Sequence, residues 1–327
     1  MASASPILIT PKFVFTYPLT PNVSDYRCVV NADGTSVIVE RAASSGGEAQ
    51  LYLVDLASAT ATSLLPALEV TTRPDWCWQT GEIAFNYMRQ KVGVLPRPGE
   101  RHALFDMIGM DYPAWFPKGE KLATESYARV PRIDLPQPNT TTIDRSTGAI
   151  IAMAFEGTNL YGGMPSVNPV NSNLIAFAGQ PVGTPYDEDR NYIWVKDTSS
   201  ARPAIPLEYN CPATGDFCPA FQGRAPWWWP DGKWLAFESN RGCVPGHARP
   251  NGMYATYLYE YDHPTPAFAI TDWAFNCNHA KWFPNGFARM PGPFKLIVAA
   301  WQNGGTDPLS GPYGLATLDL SLLNINF

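Results

Sequence analysis

One stretch constrains this chain more than any other: Ala225 to Gly242, APWWWPDGKWLAFESNRG. Pro226 to Trp229 is a short apolar strand. Pro230-Asp231-Gly232 then joins a fixed φ, a side chain able to bond nearby backbone and a residue free to take positive φ, which together specify a tight turn. Trp234 to Glu238 is a second strand, ended by Ser239-Asn240-Arg241-Gly242. A lone hairpin cannot keep such side chains from water, so the unit needs neighbours.

Repetition supplies them. Pro113-Ala114-Trp115-Phe116-Pro117-Lys118-Gly119 leads into Lys121 to Ser126, KLATES. Ala280-Lys281-Trp282-Phe283-Pro284-Asn285-Gly286 leads, after an insertion, into Lys295 to Ala300, and Pro165 to Pro169 leads into Leu174 to Ala178. Two weaker copies are Pro74 to Trp78 with Gly81, ahead of Glu82-Ile83-Ala84-Phe85, and Cys28-Val29-Val30 with Asp33-Gly34, ahead of Ser36 to Val39. Aligned on Val30, Trp76, Trp115, Val167, Trp228 and Trp282, the copies recur about every 40–60 residues, close to the length of a four-stranded propeller blade.

These units resemble the TolB-type propeller repeat, a relative of the WD-type blade built on a Pro, a Trp or Phe, Pro-Asp-Gly and an Ile-Ala-Phe strand. The resemblance implies an all-β fold, a six-bladed β-propeller of four-stranded antiparallel blades. One domain is expected over 1–327, with blades starting near 28, 74, 113, 165, 226 and 280. Lys12 to Leu19, KFVFTYPL, alternates polar and apolar ahead of the first copy, and the last copy is one outer strand short. The N-terminal strand is therefore expected to complete blade six and close the ring, which removes an open sheet edge. Such a motif describes a scaffold and leaves function to the site.

Composition bounds the rest. With 327 residues, 45% hydrophobic, 16% charged and a net charge of -6, the chain can build a large core and has little material for charged helices. No apolar run approaches membrane-spanning length, and no basic stripe suggests nucleic acid. The opening MASASPILIT lacks the basic-then-apolar order of a signal sequence. Gly-x-Ser-x-Gly is absent, and His102, His247, His263 and His279 have no metal-ligand spacing, so neither cofactor nor metal is expected.

The cysteines bear on the compartment. Cys211 and Cys218 bracket six residues of one segment between blades, and Cys243 and Cys277 fall in neighbouring loops. Both pairs suit disulfides and an extracytoplasmic location, periplasmic or secreted; reduced thiols are the alternative. Cys28 and Cys77 lie in inner strands and read first as buried thiols.

Because the tight turns join the first two strands of each blade, the long second-to-third connections (127–139, 180–191, 239–253, 302–312) gather on the opposite face, with the linkers 208–225 and 272–279. Long loops in a compact domain are more often functional than filler, so a partner or substrate is expected there. Residues just ahead of each inner strand would ring the channel mouth on that face: Arg27, Arg73, Asp111 with Tyr112, Met164, Arg224, and Asn278 with His279. Arginine forks suit carboxylates, and His or Tyr can move a proton. Trp273 and Trp301 are candidate stacking platforms near the same face, whereas Trp76, Trp115, Trp228 and Trp282 occupy equivalent core slots.

Three readings stay open. A non-catalytic interaction or assembly propeller would bind a protein partner or copies of itself through the long-loop face and needs no catalytic group. A polysaccharide lyase would act on a uronic-acid glycan, with Arg73 and Arg224 clamping the carboxylate and His279 or Tyr112 as base. A lectin-like protein would bind sugar through exposed aromatics.

Overall fold

The computed structural model describes residues 7–15, 23–43, 47–68, 70–105, 109–126, 139–153, 160–181, 191–207, 223–239, 253–263, 266–283, 295–301 and 312–323. These residues form six four-stranded antiparallel sheets and no α-helix. The first strand, β1 (Lys12–Phe13), belongs to the last blade. Blade one is β2 (Val23–Val30), β3 (Ser36–Ala43), β4 (Gln50–Asp55) and β5 (Thr60–Ser63). Blade two is β6 (Thr71–Trp76), β7 (Ile83–Tyr87), β8 (Lys91–Leu95) and β9 (Ala103–Leu104). Blade three is β10 (Met110–Trp115), β11 (Lys121–Ser126), β12 (Asn139–Asp144) and β13 (Ile150–Met153). Blade four is β14 (Leu160–Val167), β15 (Leu174–Pro181), β16 (Tyr192–Asp197) and β17 (Ile205–Pro206). Blade five is β18 (Gly223–Trp228), β19 (Trp234–Ser239), β20 (Ala255–Glu260) and β21 (Phe268–Ala269). Blade six is β22 (Asn278–Trp282), β23 (Lys295–Trp301), β24 (Tyr313–Asp319) and β1.

Ring closure follows the sequence expectation. Lys12 pairs with Thr317 and Phe13 with Ala316, and Val14 donates to the Leu315 carbonyl at 2.9 Å. The tight turns also behave as their residues require. Gly232 sits at φ 73°, its N–H bonds the Trp229 carbonyl at 2.9 Å, and Asp231 Oδ1 accepts the Lys233 N–H at 2.7 Å.

Core side chains lie between blades. Trp229 and Trp282 meet edge to face at 3.8 Å, beside Leu258, Leu296 and Leu318. Each fully buried side chain of this size contributes about 1.5–3 kcal/mol, which makes the seams between blades the main source of cohesion. Cys277 is part of this cluster as a free thiol, fully buried and pushed up to about 12, chiefly by burial. The expected bridge from Cys243 to Cys277 is thus not made, because Cys277 faces the core rather than a surface loop. Cys28 and Cys77 are likewise free and buried; Cys211, Cys218 and Cys243 lie outside the described residues.

All six inner strands share one irregularity. Register shifts between Tyr26 and Cys28, Thr72 and Asp75, Asp111 and Ala114, Gly163 and Ser166, Arg224 and Trp227, and Asn278 and Lys281. Each shift is a β-bulge, and the bulged residue is left-handed in five blades: Arg73 (φ 52°), Tyr112 (44°), Met164 (51°), Ala225 (47°) and His279 (50°). Pro74, Pro113, Pro165 and Pro226 follow directly in four of them and cannot donate to the ladder. Non-glycine residues seldom adopt such φ, so a device repeated around the ring marks a place where the fold turns side chains out of the sheet.

Candidate functional site: the two ends of the central channel

The inner strands run from the long-loop face to the tight-turn face, so their successive residues form layers down the channel. At the loop end the bulge residues converge. Arg27, Arg73, Tyr112, Met164, Ala225 and His279 surround a cavity of about 40 Å³, room for a few water molecules. Two sequence expectations change here. The ring residues lie inside the inner strands rather than ahead of them, because pairing begins before the bulge. In blade five the residue on the ring is Ala225, and Arg224 sits one position earlier, turned onto the Tyr254 ring at 4.2 Å. Asp111 and Asn278 likewise precede the bulge rather than occupy it.

Every arginine of this layer has an acid. Arg27 donates to Glu40 Oε1 at 2.9 Å, Arg73 pairs with Asp111, and Arg224 Nε donates to Glu238 Oε1 at 2.8 Å. Two of these acids, Glu40 and Glu238, together with Glu125, hold the bulges of the following blade. Glu40 Oε2 accepts the Arg73 N–H at 3.1 Å, Glu125 Oε2 the Met164 N–H at 3.1 Å, and Glu238 Oε2 the His279 N–H at 2.7 Å. All three are buried. Sequence reasoning missed them, although a signal existed. The second strands of blades one, three and five place Glu at one repeat position, where blades two, four and six carry Asn86, Ala178 and Ala299.

Tyr112 joins two arginines. Its hydroxyl accepts from Arg27 at 3.1 Å, and the Arg73 guanidinium lies 4.0 Å from its ring centre. His279 is buried with its ring edge-to-face on Tyr26 at 4.7 Å, and its Nε2 has no hydrogen-bond partner among the described residues. Burial first, then Arg27, Arg224, Lys281 and Arg73, hold it well below the ordinary histidine range, so it is neutral. Asn278 Nδ2 donates to the Asn276 carbonyl at 2.7 Å. Trp273 opens a one-turn 3-10 helix, Trp273–Phe275, and packs half-buried against Tyr257 at 6.4 Å, away from the ring. Trp301 ends β23, its backbone paired with Tyr313.

One layer deeper, the Lys281 ammonium sits 3.1 Å from the Trp227 ring centre. Burial draws this amine down to about 8, against the pull of Asp75. Burial likewise pushes the Asp75 carboxyl up to about 6, against Lys281 and the Trp115 N–H, which donates to Oδ2 at 2.6 Å.

The turn end is different. A cavity of about 270 Å³ lies there, bordered by Asp75, Trp76, Trp78, Phe116, Ser166 and Trp227 among others. It stands on the face opposite the one expected to bind. The sequence places Trp76 in a core slot with Trp115, Trp228 and Trp282; those three are buried, whereas Trp76 and Trp227 are half-buried, and Trp76, Trp115, Trp227 and Trp228 all border the cavity. The long second-to-third loops lie outside the described residues. Among the described residues, no three His, Cys, Asp or Glu side chains gather closely enough to share a metal ion, and no helix is long and apolar enough to cross a membrane.

No family model matches the sequence, and no curated protein matches it. Solved structures do match in fold. TolB from Acinetobacter baumannii superposes with a TM-score of 0.54 at 12% identity over 91% of this chain, which spans only 63% of that protein's length. An oligogalacturonate lyase in complex with manganese gives 0.55 at 12% identity over 98% of both chains. An oligogalacturonate lyase from Vibrio parahaemolyticus gives 0.55 at 11% identity, covering 95% of this chain and 94% of the other. At such identities the likeness is one of fold, a TolB-like six-bladed propeller.

Proposed function

We propose that this TolB-like propeller is a non-catalytic, extracytoplasmic interaction module that engages a protein partner, or further copies of itself, through its long-loop face. One observation carries the reading: Arg27 and Arg73 of the loop-end ring, and Arg224 beside it, are each already committed to an acid of the protein. A substrate carboxylate would have to displace Glu40, Asp111 or Glu238, and breaking a buried pair costs about 3–5 kcal/mol. His279 is a poor base, since a proton on it would be opposed by burial and by four nearby cations. The test is purification from the native source with cross-linking and sedimentation. A stoichiometric partner or a defined oligomer is expected; a protein recovered alone and sedimenting as a monomer would overturn the proposal.

A lyase reading keeps one point in its favour. Tyr112, whose hydroxyl accepts from Arg27 and whose ring lies against Arg73, is the candidate base on that reading. On that reading, uronate polymers acquire the ultraviolet absorbance of an unsaturated product and Tyr112→Phe abolishes it. Absence of product from a full panel of uronate polymers removes the lyase.

A further inference from the structure

Lys281 stands apart from the other cations of the channel. Arg27 and Arg73 each have an acid, whereas the Lys281 ammonium has no carboxylate within ion-pair distance and no hydrogen-bond partner among the described residues. It rests on the Trp227 ring, 3.1 Å from its centre. Lys196 shows how this protein settles a buried lysine that serves the fold: its ammonium donates to the Asp197, Ser200 and Arg202 carbonyls at 2.8, 2.5 and 2.6 Å. Lys281 instead lines the loop-end cavity. Burial draws its amine down to about 8, against Asp75, Cys28 and Glu238, so roughly a tenth is the neutral nucleophile at about pH 7, where an ordinary lysine has less than about one part in a thousand.

Size and charge select the reactant. The cavity holds about 40 Å³, room for a few heavy atoms and too little for a sugar ring. Among the described residues that line it, Arg27, Arg73 and Lys281 carry positive charge and none is a carboxylate. An aldehyde would form an iminium there and keep a cation among cations. Carbon dioxide does the reverse, because its adduct with an amine, a carbamate, is an anion beside two guanidiniums. Asp75 is the neighbour that opposes the anion, and its carboxyl, already pushed up to about 6 by burial, can take a proton in response.

We propose that Lys281 is a carbon dioxide site: its amine forms a carbamate inside the loop-end cavity, with Arg27 and Arg73 beside the new carboxylate. The nitrogen lone pair attacks the carbon, one C=O electron pair moves onto oxygen, and a proton leaves the nitrogen for water. An N–C bond forms, an N–H bond and one C–O π bond break, and no oxidant is consumed. The charge in the channel then follows dissolved carbon dioxide. This chemistry goes beyond the interaction role and does not depend on it.

The experiment incubates the intact protein at about pH 8 with isotopically labelled bicarbonate in equilibrium with carbon dioxide, reads the carbon NMR spectrum, and traps adducts with triethyloxonium for peptide mass spectrometry. A carbonyl resonance apart from those of bicarbonate and dissolved gas is expected, with the trapped mass on the Lys281 peptide. Lys281→Arg keeps the charge, offers no comparable nucleophile and should lose both signals. Asp75→Asn removes the opposing carboxylate and should raise occupancy at least about twofold at the same carbon dioxide pressure. It is the deciding variant if Lys281→Arg fails to fold, and unchanged or lower occupancy then overturns the proposal. Label confined to the α-amino group, label spread evenly over surface lysines, or a bicarbonate resonance that broadens without covalent mass also overturns it. So does an amine that borohydride fixes to glycolaldehyde while it gives no carbamate, which assigns Lys281 to carbonyl compounds.

Discussion

The two ends of the channel are built from the same six inner strands and have opposite characters. At the loop end, charges are numerous and mutually neutralised: Arg27 with Glu40, Arg73 with Asp111, Arg224 with Glu238. At the turn end, Asp75 is the one charged side chain among the described residues that border the cavity, perturbed from beyond ion-pair distance by Lys281, which lines the loop-end cavity. Many charges close to one another therefore do not by themselves indicate a binding site. Paired, they form a closed collar around a cavity of about 40 Å³, whereas the sparsely charged end keeps about 270 Å³.

Three substitutions probe that contrast. Glu238→Ala removes the acceptor of both Arg224 and the His279 N–H, leaving a buried guanidinium unpaired. Urea denaturation should show a loss of about 3–5 kcal/mol; a loss below ~1 kcal/mol would mean that the collar is not locked. Asp75→Asn should act in the opposite direction. With its folded carboxyl raised to about 6 from 3.8, the aspartate stabilises the fold in acid, and that contribution is lost as pH rises through 6. Asparagine carries no such penalty, so the variant should gain roughly 1–3 kcal/mol at pH 7 and nothing near pH 4. Equal effects at both pH values would show that Asp75 is not strained at the turn end. Ala225→Gly relieves a left-handed φ of 47° where no polar side chain faces the channel. A gain of about 1 kcal/mol is expected from the same denaturation curves, and a loss would mean that the alanine methyl fills space the ring needs.

How far the sequence foretold this structure depends on the range of the interaction. Six blades and the closing strand were legible because turn chemistry is local: Pro230-Asp231-Gly232 and its relatives specify each hairpin without help from elsewhere. Ring membership was legible for Arg27, Arg73, Tyr112, Met164 and His279, since the repeat places them equivalently. In blade five the expectation falls one residue early, on the charged Arg224 rather than on Ala225. The residue before the repeat's proline was the better guide, as Arg73-Pro74 and Tyr112-Pro113 show. Asp75 and Lys281 come near enough to perturb one another only because the chain closes on itself, and no local pattern reports that. Nor does any pattern tell a tryptophan buried away from the cavity, such as Trp282, from one bordering it, such as Trp76.

The glutamates that hold the bulges have an evolutionary corollary. Glu40, Glu125 and Glu238 each fix the channel-facing residue of the next blade rather than their own. A single blade transplanted or duplicated alone would therefore arrive with its bulge unsupported or its carboxylate unused. The smallest cassette that carries its own support is two blades long, and three such cassettes make up this ring.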